Sequence, residues 1–571
     1  MAAKRKPARR RTKTPKARTA EAAAPAHRLQ RVRSVPRSGR AAAGADFEPG
    51  QAPLTQGLAA EADLRFDRPR PATTRYPIDL EDFAKLKNAA PRTRLRALAG
   101  GARAAATLAV DRGRRAPTPL TAAAVAGAAG APLTAEAAAA PATVGTFGGV
   151  ADTQWLPADC TLAAGPQHVL AAVNASVEVY RKTGGSPVLQ KTLVAWFANV
   201  ISQAKIFDPK ALYDQHAGRW VLLAVALGAN NTSFFLLSIS KTSDPLGGWR
   251  NYKLDATKDG STQTNNWADY PGLGVDAQAL YLTANMFRFG GGFQYSKVRI
   301  VPKGSAPSTG AYFGGAITFR DLVNFKNAEG STAFTLQPCH TYGAPQVQYF
   351  VNSLFPSTQT PTRTLLSLWA LTDPLGTPVM TRRNIGTRPY GLPPDATQKG
   401  SSTRLDTGDV RVLNAVFRGG SVWAALTSRH AWTSGGENTA VAHWFQIEAS
   451  TGAMTQQGVY GVTGRHYFFP AVMPDGNGNM TLVFSRSGAA EHASARYSGR
   501  LATDPLGALQ PSAPLKNGTA RYVRLDTLGR NRWGDYAGIA NDPVDNSTIW
   551  SYTKFAAGVN KWGTWIGASK F

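Results

Sequence analysis

Two cysteines in 571 residues exclude a disulfide-dense scaffold and a cysteine-rich zinc site. No run of about 18 uninterrupted, strongly apolar residues occurs, so no membrane-spanning helix is expected. Segments with a 3.6-residue apolar period are missing too, which excludes a helical solenoid. Acidic residues are scarce: 36 Asp and Glu stand against 64 Lys and Arg, a net charge of +28. Glycine (56), proline (37), phenylalanine (24), tyrosine (17) and tryptophan (13) are plentiful, and 43% of residues are hydrophobic. That is enough for a large core and excludes whole-chain disorder. The length suits about three or four ordinary domains or one large repeat domain with tails.

The charge is uneven. Residues 1–150 carry 27 basic and 11 acidic residues, and the first 40 alone carry 14 basic residues against Glu21. This opening lacks apolar periodicity and is expected to be a solvated, disordered basic arm within an Ala/Pro/Arg-rich extension, residues 1–142. Phosphate contacts would let residues 1–40 associate with nucleic acid or another anionic polymer, although no aromatic residues interleave to stack on bases. A short helix is expected near Tyr76–Leu86, with Asp79 as its N-cap. Residues 110–142 have the three parts of a secretory signal: the basic run Arg112–Arg115, the apolar stretch Leu120–Ala129 and small residues at Ala137–Ala142. They lie over 100 residues from Met1, and no methionine intervenes before Met286. An Ala/Pro-rich linker is the other reading of that segment.

Beyond residue 142 the chain becomes a repeat. Asp244-Pro245-Leu246-Gly247 returns as Asp373-Pro374-Leu375-Gly376 and as Asp504-Pro505-Leu506-Gly507, at intervals of 129 and 131 residues. Each follows a β-like run and carries turn chemistry, which places it between the last two strands of a unit. Trp267-Ala268-Asp269-Tyr270 is echoed by Trp533-Gly534-Asp535-Tyr536. Strand–turn–strand units begin near 159, 208, 269, 340, 409, 470 and 535, separated by 49 to 71 residues. Four short strands fill such a unit. Seven units in a ring make an all-β β-propeller over 143–571, with six as the alternative count. Residues 143–150 are expected to supply the outer strand of the last unit and latch the ring. In a seven-unit ring Cys160 and Cys339 lie nearly opposite, so both are expected to remain free thiols.

Three segments carry a family resemblance: Trp267–Pro271; Phe484–Ser487 with Ala493–Ala495; and Arg532–Tyr536 with Asn541-Asp542-Pro543. From about residue 150 onward the chain resembles the bacterial secreted or surface β-propeller proteins of sialidase-like shape. The resemblance implies a secreted or cell-surface location and specifies fold more than activity. The Asp-box of true sialidases is absent. Ser243–Trp249 is similar to a turn in five-bladed glycoside hydrolases, whose acidic signature is missing here.

The start of each inner strand opens at one mouth of the central channel, so residues there converge. Asp159, Asp208, Asp269, His340, Asp409 and Asp535 hold those positions, with Arg411, Arg532, His466, Tyr270 and Tyr536 close in sequence. Such a set can bind a ligand at the funnel, share a calcium ion among Asp208, Asp269, Asp409 and Asp535, or run acid/base glycoside hydrolysis. The catalytic candidates are Asp269, Asp535, Asp409, Arg411 and Arg532. A sialidase-like assignment would draw on Arg411, Arg486, Arg532, Tyr270, Tyr536 and Asp269. Each Asp can equally serve as a turn residue, and Trp267 and Trp533 can pack between blades rather than face a sugar. Asp475-Gly476-Asn477-Gly478-Asn479 opens like a calcium loop but lacks the downstream Glu, and a tight hairpin is expected there. The function expected is an extracellular, monomeric binding module for a glycan or protein ligand, with no resident cofactor required. A glycoside hydrolase is the alternative.

Overall fold

Strand Arg219–Gly228 shows how the sequence builds the ring. Its residues alternate between two faces. Val221, Leu223, Val225 and Leu227 enter an apolar cluster shared with the blade that follows, whereas Trp220, Leu222, Ala224 and Ala226 enter one shared with the blade before. The same division recurs around the molecule. Among the described residues, apolar clusters join each blade to the next around the ring, one of them joining the seventh blade to the first. Strands that are apolar on both faces have no solvated side, and a closed ring satisfies both.

The computed structural model describes residues 39–43, 45–47 and 140–571. Among them, the inner strands of the seven blades are Thr161–Ala164, Lys205–Asp214, Asn266–Val275, Gln337–Thr341, Val412–Arg418, Arg465–Pro474 and Gly538–Asn541. The inner strands of blades 3, 4 and 5 are also bridged in parallel along the channel, Val275 opposite His340 and Cys339 opposite Ala415. The Asp-Pro-Leu-Gly turns join the third and fourth strands of blades 2, 4 and 6. Ala142–Ala151 pairs antiparallel with Lys561–Lys570 as the outer strand of blade 7, so the chain closes its own ring. Cys160 and Cys339 are buried free thiols. Asp475 caps a tight hairpin, its Oδ1 accepting the Asn477 and Asn479 N–H groups at 2.8 Å.

One departure concerns the basic arm. Gly39–Ala43 pairs with Ala316–Leu322 on the edge of blade 3, and Ala45–Phe47 pairs with Trp249–Asp255 on the edge of blade 2. Part of the extension therefore adds strands to the propeller. The helix expected near 76–86, the signal-like segment up to residue 139 and the rest of the arm lie outside the described residues. No helix among the described residues is long and apolar enough to cross a membrane.

The blades are also joined by a polar relay. Asp159, Asp208, Tyr270, Thr335 and Phe469 all adopt positive φ, between 51° and 56°, a conformation that strains any residue other than glycine. In blades 2, 3 and 6 this residue precedes a proline and sits in a bulge of the inner strand. The bulge takes a backbone N–H out of its ladder, and a side chain of a neighbouring blade accepts it. Asn174 Oδ1 accepts from Asp208 N at 2.7 Å, Asp208 Oδ2 from Tyr270 N at 3.3 Å, Asn285 Oδ1 from Thr335 N at 2.7 Å and Thr427 Oγ1 from Phe469 N at 3.0 Å. Asn174 also donates to Asp159 Oδ2 at 2.8 Å and to the Pro157 carbonyl at 2.9 Å. Asn174→Ala should therefore lower stability by about 3 kcal/mol, since it leaves buried partners unpaired. The midpoint of urea unfolding checks this.

Candidate functional site

The bulges decide which side chains meet at the mouth where the inner strands begin. Asp208, Asp269, Tyr270, Arg411, Arg532 and Asp535 line one depression there, with Asn285, Phe287 and Phe334. All six had been expected to converge. Asp409 joins them through Arg411, and Tyr536 lies beneath them. The spacing of the repeat units sets Asp208 level with Asp269, but the positive φ and the bulge make Tyr270 the counterpart of Asp208.

Most of the charge is neutralised internally. Arg411 Nε lies 2.9 and 3.0 Å from the two Asp409 oxygens, and its guanidinium covers the Tyr270 ring at 4.2 Å and the Phe334 ring at 5.0 Å. Arg532 pairs with Asp535 and lies 3.7 Å from Asp406. Asp159 Oδ1 accepts the Asp535 N–H at 2.8 Å. Three of the four carboxylates expected to share calcium thus turn to different partners: Asp208 to the Tyr270 N–H, Asp409 to Arg411 and Asp535 to Arg532. Among the described residues no group of three or more His, Cys, Asp or Glu comes together to hold a metal ion.

Asp269 differs from the rest. It is 6% exposed, lines the depression and has no hydrogen-bond or ion-pair partner for its carboxylate among the described residues. The depression has a free volume of about 10 Å³, room for roughly one water.

The two tyrosines do not suit nucleophilic work. Tyr270 donates its hydroxyl to the Asp535 carbonyl at 3.4 Å and Tyr536 to the Pro209 carbonyl at 2.9 Å. Burial, reinforced at Tyr536 by Asp208 and Asp159, holds both phenols well above their ordinary range. Arg486, another residue in the sialidase-like assignment, is clamped by Glu491 within blade 6.

Lys210 belongs to the cluster and was not expected. Its ammonium lies 2.9 Å from the centre of the Tyr536 ring and 5.3 Å from that of Tyr270. Burial pulls it down to about 7, against the opposing pull of Asp208, Asp159 and Asp535. A lysine after a proline carries no sequence signal for such burial; Asn285, Phe287 and Phe334 were missed for the same reason. The lowered value has a definite sign. Below pH 7 both folded and unfolded chains hold the proton, and the cost of burying the charge is complete. Between about 7 and the unfolded value near 10.4 the folded chain loses its proton first, and stability rises. Lys210→Met should therefore raise the urea midpoint relative to wild type more at pH 6 than at pH 10.

Two expected residues lie elsewhere. His340 sits near the end of its inner strand, level with Val275 rather than Asp269, and so faces the opposite mouth. The counterpart of Asp208 in blade 4 is Thr335. His466 accepts the Ala440 N–H at 3.1 Å on Nδ1, wedged between blades 5 and 6. Trp267 and Trp533 are buried, and Trp533 Nε1 donates to Ser485 of blade 6 at 3.0 Å. Both are packing residues, unavailable to a sugar face. Beneath the cluster a narrow cavity of about 80 Å³, lined by Leu273, Leu413 and Met473 together with Lys210, Gln337 and Asn414, leads towards the opposite mouth.

These features define a seven-bladed β-propeller whose channel is closed at one mouth by a largely neutralised cluster of charges. No family model and no curated protein matches the chain. Solved structures similar to it include the Hadza microbial sialidase Hz136 (12% identity, TM-score 0.35, 72% of this chain and 74% of that one). An α-L-arabinofuranosidase of Fusarium graminearum is 9% identical over 74% of this chain and 97% of its own, at a TM-score of 0.33. The WD40 domain of SCAP from fission yeast is 9% identical over 72% and 84%, at 0.30. The likeness is one of fold alone.

Proposed function

We propose that the protein is an extracellular or surface binding module that reads a glycan at the mouth where the inner strands begin, and that it does not cleave what it binds. The observation that carries this reading is the Asp269 carboxylate, which lines the depression and has no hydrogen-bond or ion-pair partner among the described residues. A carboxylate that no protein group engages is left to accept a hydrogen bond from a ligand donor. The small free volume admits one group, not a whole ring. Arg411 and Arg532 line the same depression but are already paired with Asp409 and Asp535, and the donor that suits Asp269 in so small a space is a single hydroxyl. The other candidate carboxylates serve arginines or backbone N–H groups, and the phenols are held protonated. These facts weigh against an acid/base pair or a tyrosine nucleophile.

Calorimetric titration of the full chain with a glycan panel tests the reading. One glycan class should bind, and Asp269→Asn should weaken it by about tenfold or more, the range for a lost hydrogen bond to a charged group, with little change in melting temperature. Equal affinity in the variant would contradict it.

A further inference from the structure

The opposite mouth of the channel holds a second cavity, about 290 Å³, lined in part by Tyr213, Gln215, His340, Tyr342, Asn541 and Asn546. This is near the lower limit of small-molecule sites and far more than one water needs. No Asp, Glu, Lys or Arg lines it. His340 is fixed: Nε2 lies 2.8 Å from Gln215 Oε1, and the ring stacks on Tyr342 at 4.6 Å and 17°. Donation from Nε2 to that oxygen leaves Nδ1 as an acceptor. Gln215 is held in turn by the Thr341 carbonyl at 2.8 Å, and the Arg418 guanidinium lies 4.5 Å from the centre of the Tyr342 ring. The walls are therefore built and rigid before any ligand arrives.

One lining side chain is unsatisfied. Asn541 is 4% exposed, and neither its Oδ1 nor its Nδ2 has a hydrogen-bond partner among the described residues. A carboxamide offers two donors and an acceptor with two lone pairs. Burying it unpaired is unfavourable, and such an orphan in a native fold calls for a partner.

We propose that this mouth is a second binding site, separate from Asp269, for a neutral, hydroxyl-bearing ligand of about one sugar ring, such as a monosaccharide unit or a polyol, held by the Asn541 carboxamide. A hydroxyl both donates and accepts, matching the two halves of the amide. No charged side chain lines the cavity itself, and the nearest guanidinium, Arg418, is turned to Tyr342 and Asn546, so a neutral ligand is favoured over charged analogues.

The test is binding of glucose, galactose, mannose, N-acetylglucosamine and glycerol to the full chain, with glucuronic acid and glucosamine as charged controls. At least one neutral compound should bind while the charged pair does not. Asn541→Leu should weaken that binding at least tenfold without lowering the melting temperature, whereas Asp269→Asn should leave it unchanged. Hydrogen exchange on the wild-type chain provides a readout that does not depend on a variant folding. Bound ligand should protect 211–216, 340–342 and 541–546 but not 266–275. No binding by any neutral compound, equal binding of the charged controls, protection confined to 266–275, or undiminished binding in Asn541→Leu would each overturn the proposal. Loss of Asp269-dependent glycan binding alone leaves it standing, so the two sites fail separately.

Discussion

Removing residues 142–151 from the full chain lowers its stability by more than about 5 kcal/mol. The strand pairs along nearly the whole of Lys561–Lys570. Its Val150 carbonyl accepts the Thr564 hydroxyl at 2.7 Å, and Thr143 Oγ1 lies 2.6 Å from the Tyr497 hydroxyl of blade 6. Val150 is buried in the cluster joining blade 7 to blade 1. Each ladder bond is worth about 1 kcal/mol net, and the deletion also exposes the apolar face beneath and an unpaired edge. Urea unfolding monitored by tryptophan fluorescence measures the loss. A synthetic peptide of residues 140–152 should restore part of it by strand addition. An unchanged midpoint would show that the ring closes without this strand.

The second large effect is expected far from either mouth. In blade 3, Arg299 Nε and Nη2 meet the two Asp321 oxygens at 2.8 and 2.7 Å, and both side chains are 0% exposed. Arg299 also donates to the Asp255 and Lys258 carbonyls and lies 3.8 Å from the centre of the Phe319 ring. Arg299→Met strands a buried carboxylate and should cost about 3–5 kcal/mol. The double variant Arg299→Met/Asp321→Leu should recover most of that. Burial alone would raise the Asp321 carboxyl, but Arg299, Lys297 and the Gly260 N–H outweigh it and hold it below its ordinary value. Its contribution is therefore complete above the unfolded value near pH 4 and is lost as the pH falls through the folded value. The gap between wild type and Arg299→Met should narrow in acid. A gap that widens on acidification would contradict this assignment.

The architecture was legible in the sequence because its signals are local. Asp-Pro-Leu-Gly turns fix their own backbone, so three copies fixed the phase of blades 2, 4 and 6. The closing strand followed from a seventh unit one strand short. Convergence of the Asp, Arg and Tyr residues followed from the same phase. What escaped was decided by single residues. Tyr270 and Phe469 at positive φ before proline shift the inner strand by one position, and no composition rule announces that. His340 was misplaced because blade 4 enters its channel at Thr335, a residue with no chemical signature. Lys210 resembles any solvated lysine until the ring closes over it. Gly39–Ala43 and Ala45–Phe47 lie in a stretch without strand periodicity, since an edge strand draws on the ladder of its host blade.

The central claim is that the carboxylates at the mouth stabilise the ring while Asp269 alone is left for a ligand. The most direct measurement is to incubate the full chain with the glycan that calorimetry identifies and weigh the recovered glycan by mass spectrometry. The account predicts binding that depends on Asp269 and a glycan recovered intact. Cleaved glycan from the wild type, and intact glycan from Asp269→Asn, would contradict it and make the cluster a hydrolytic site.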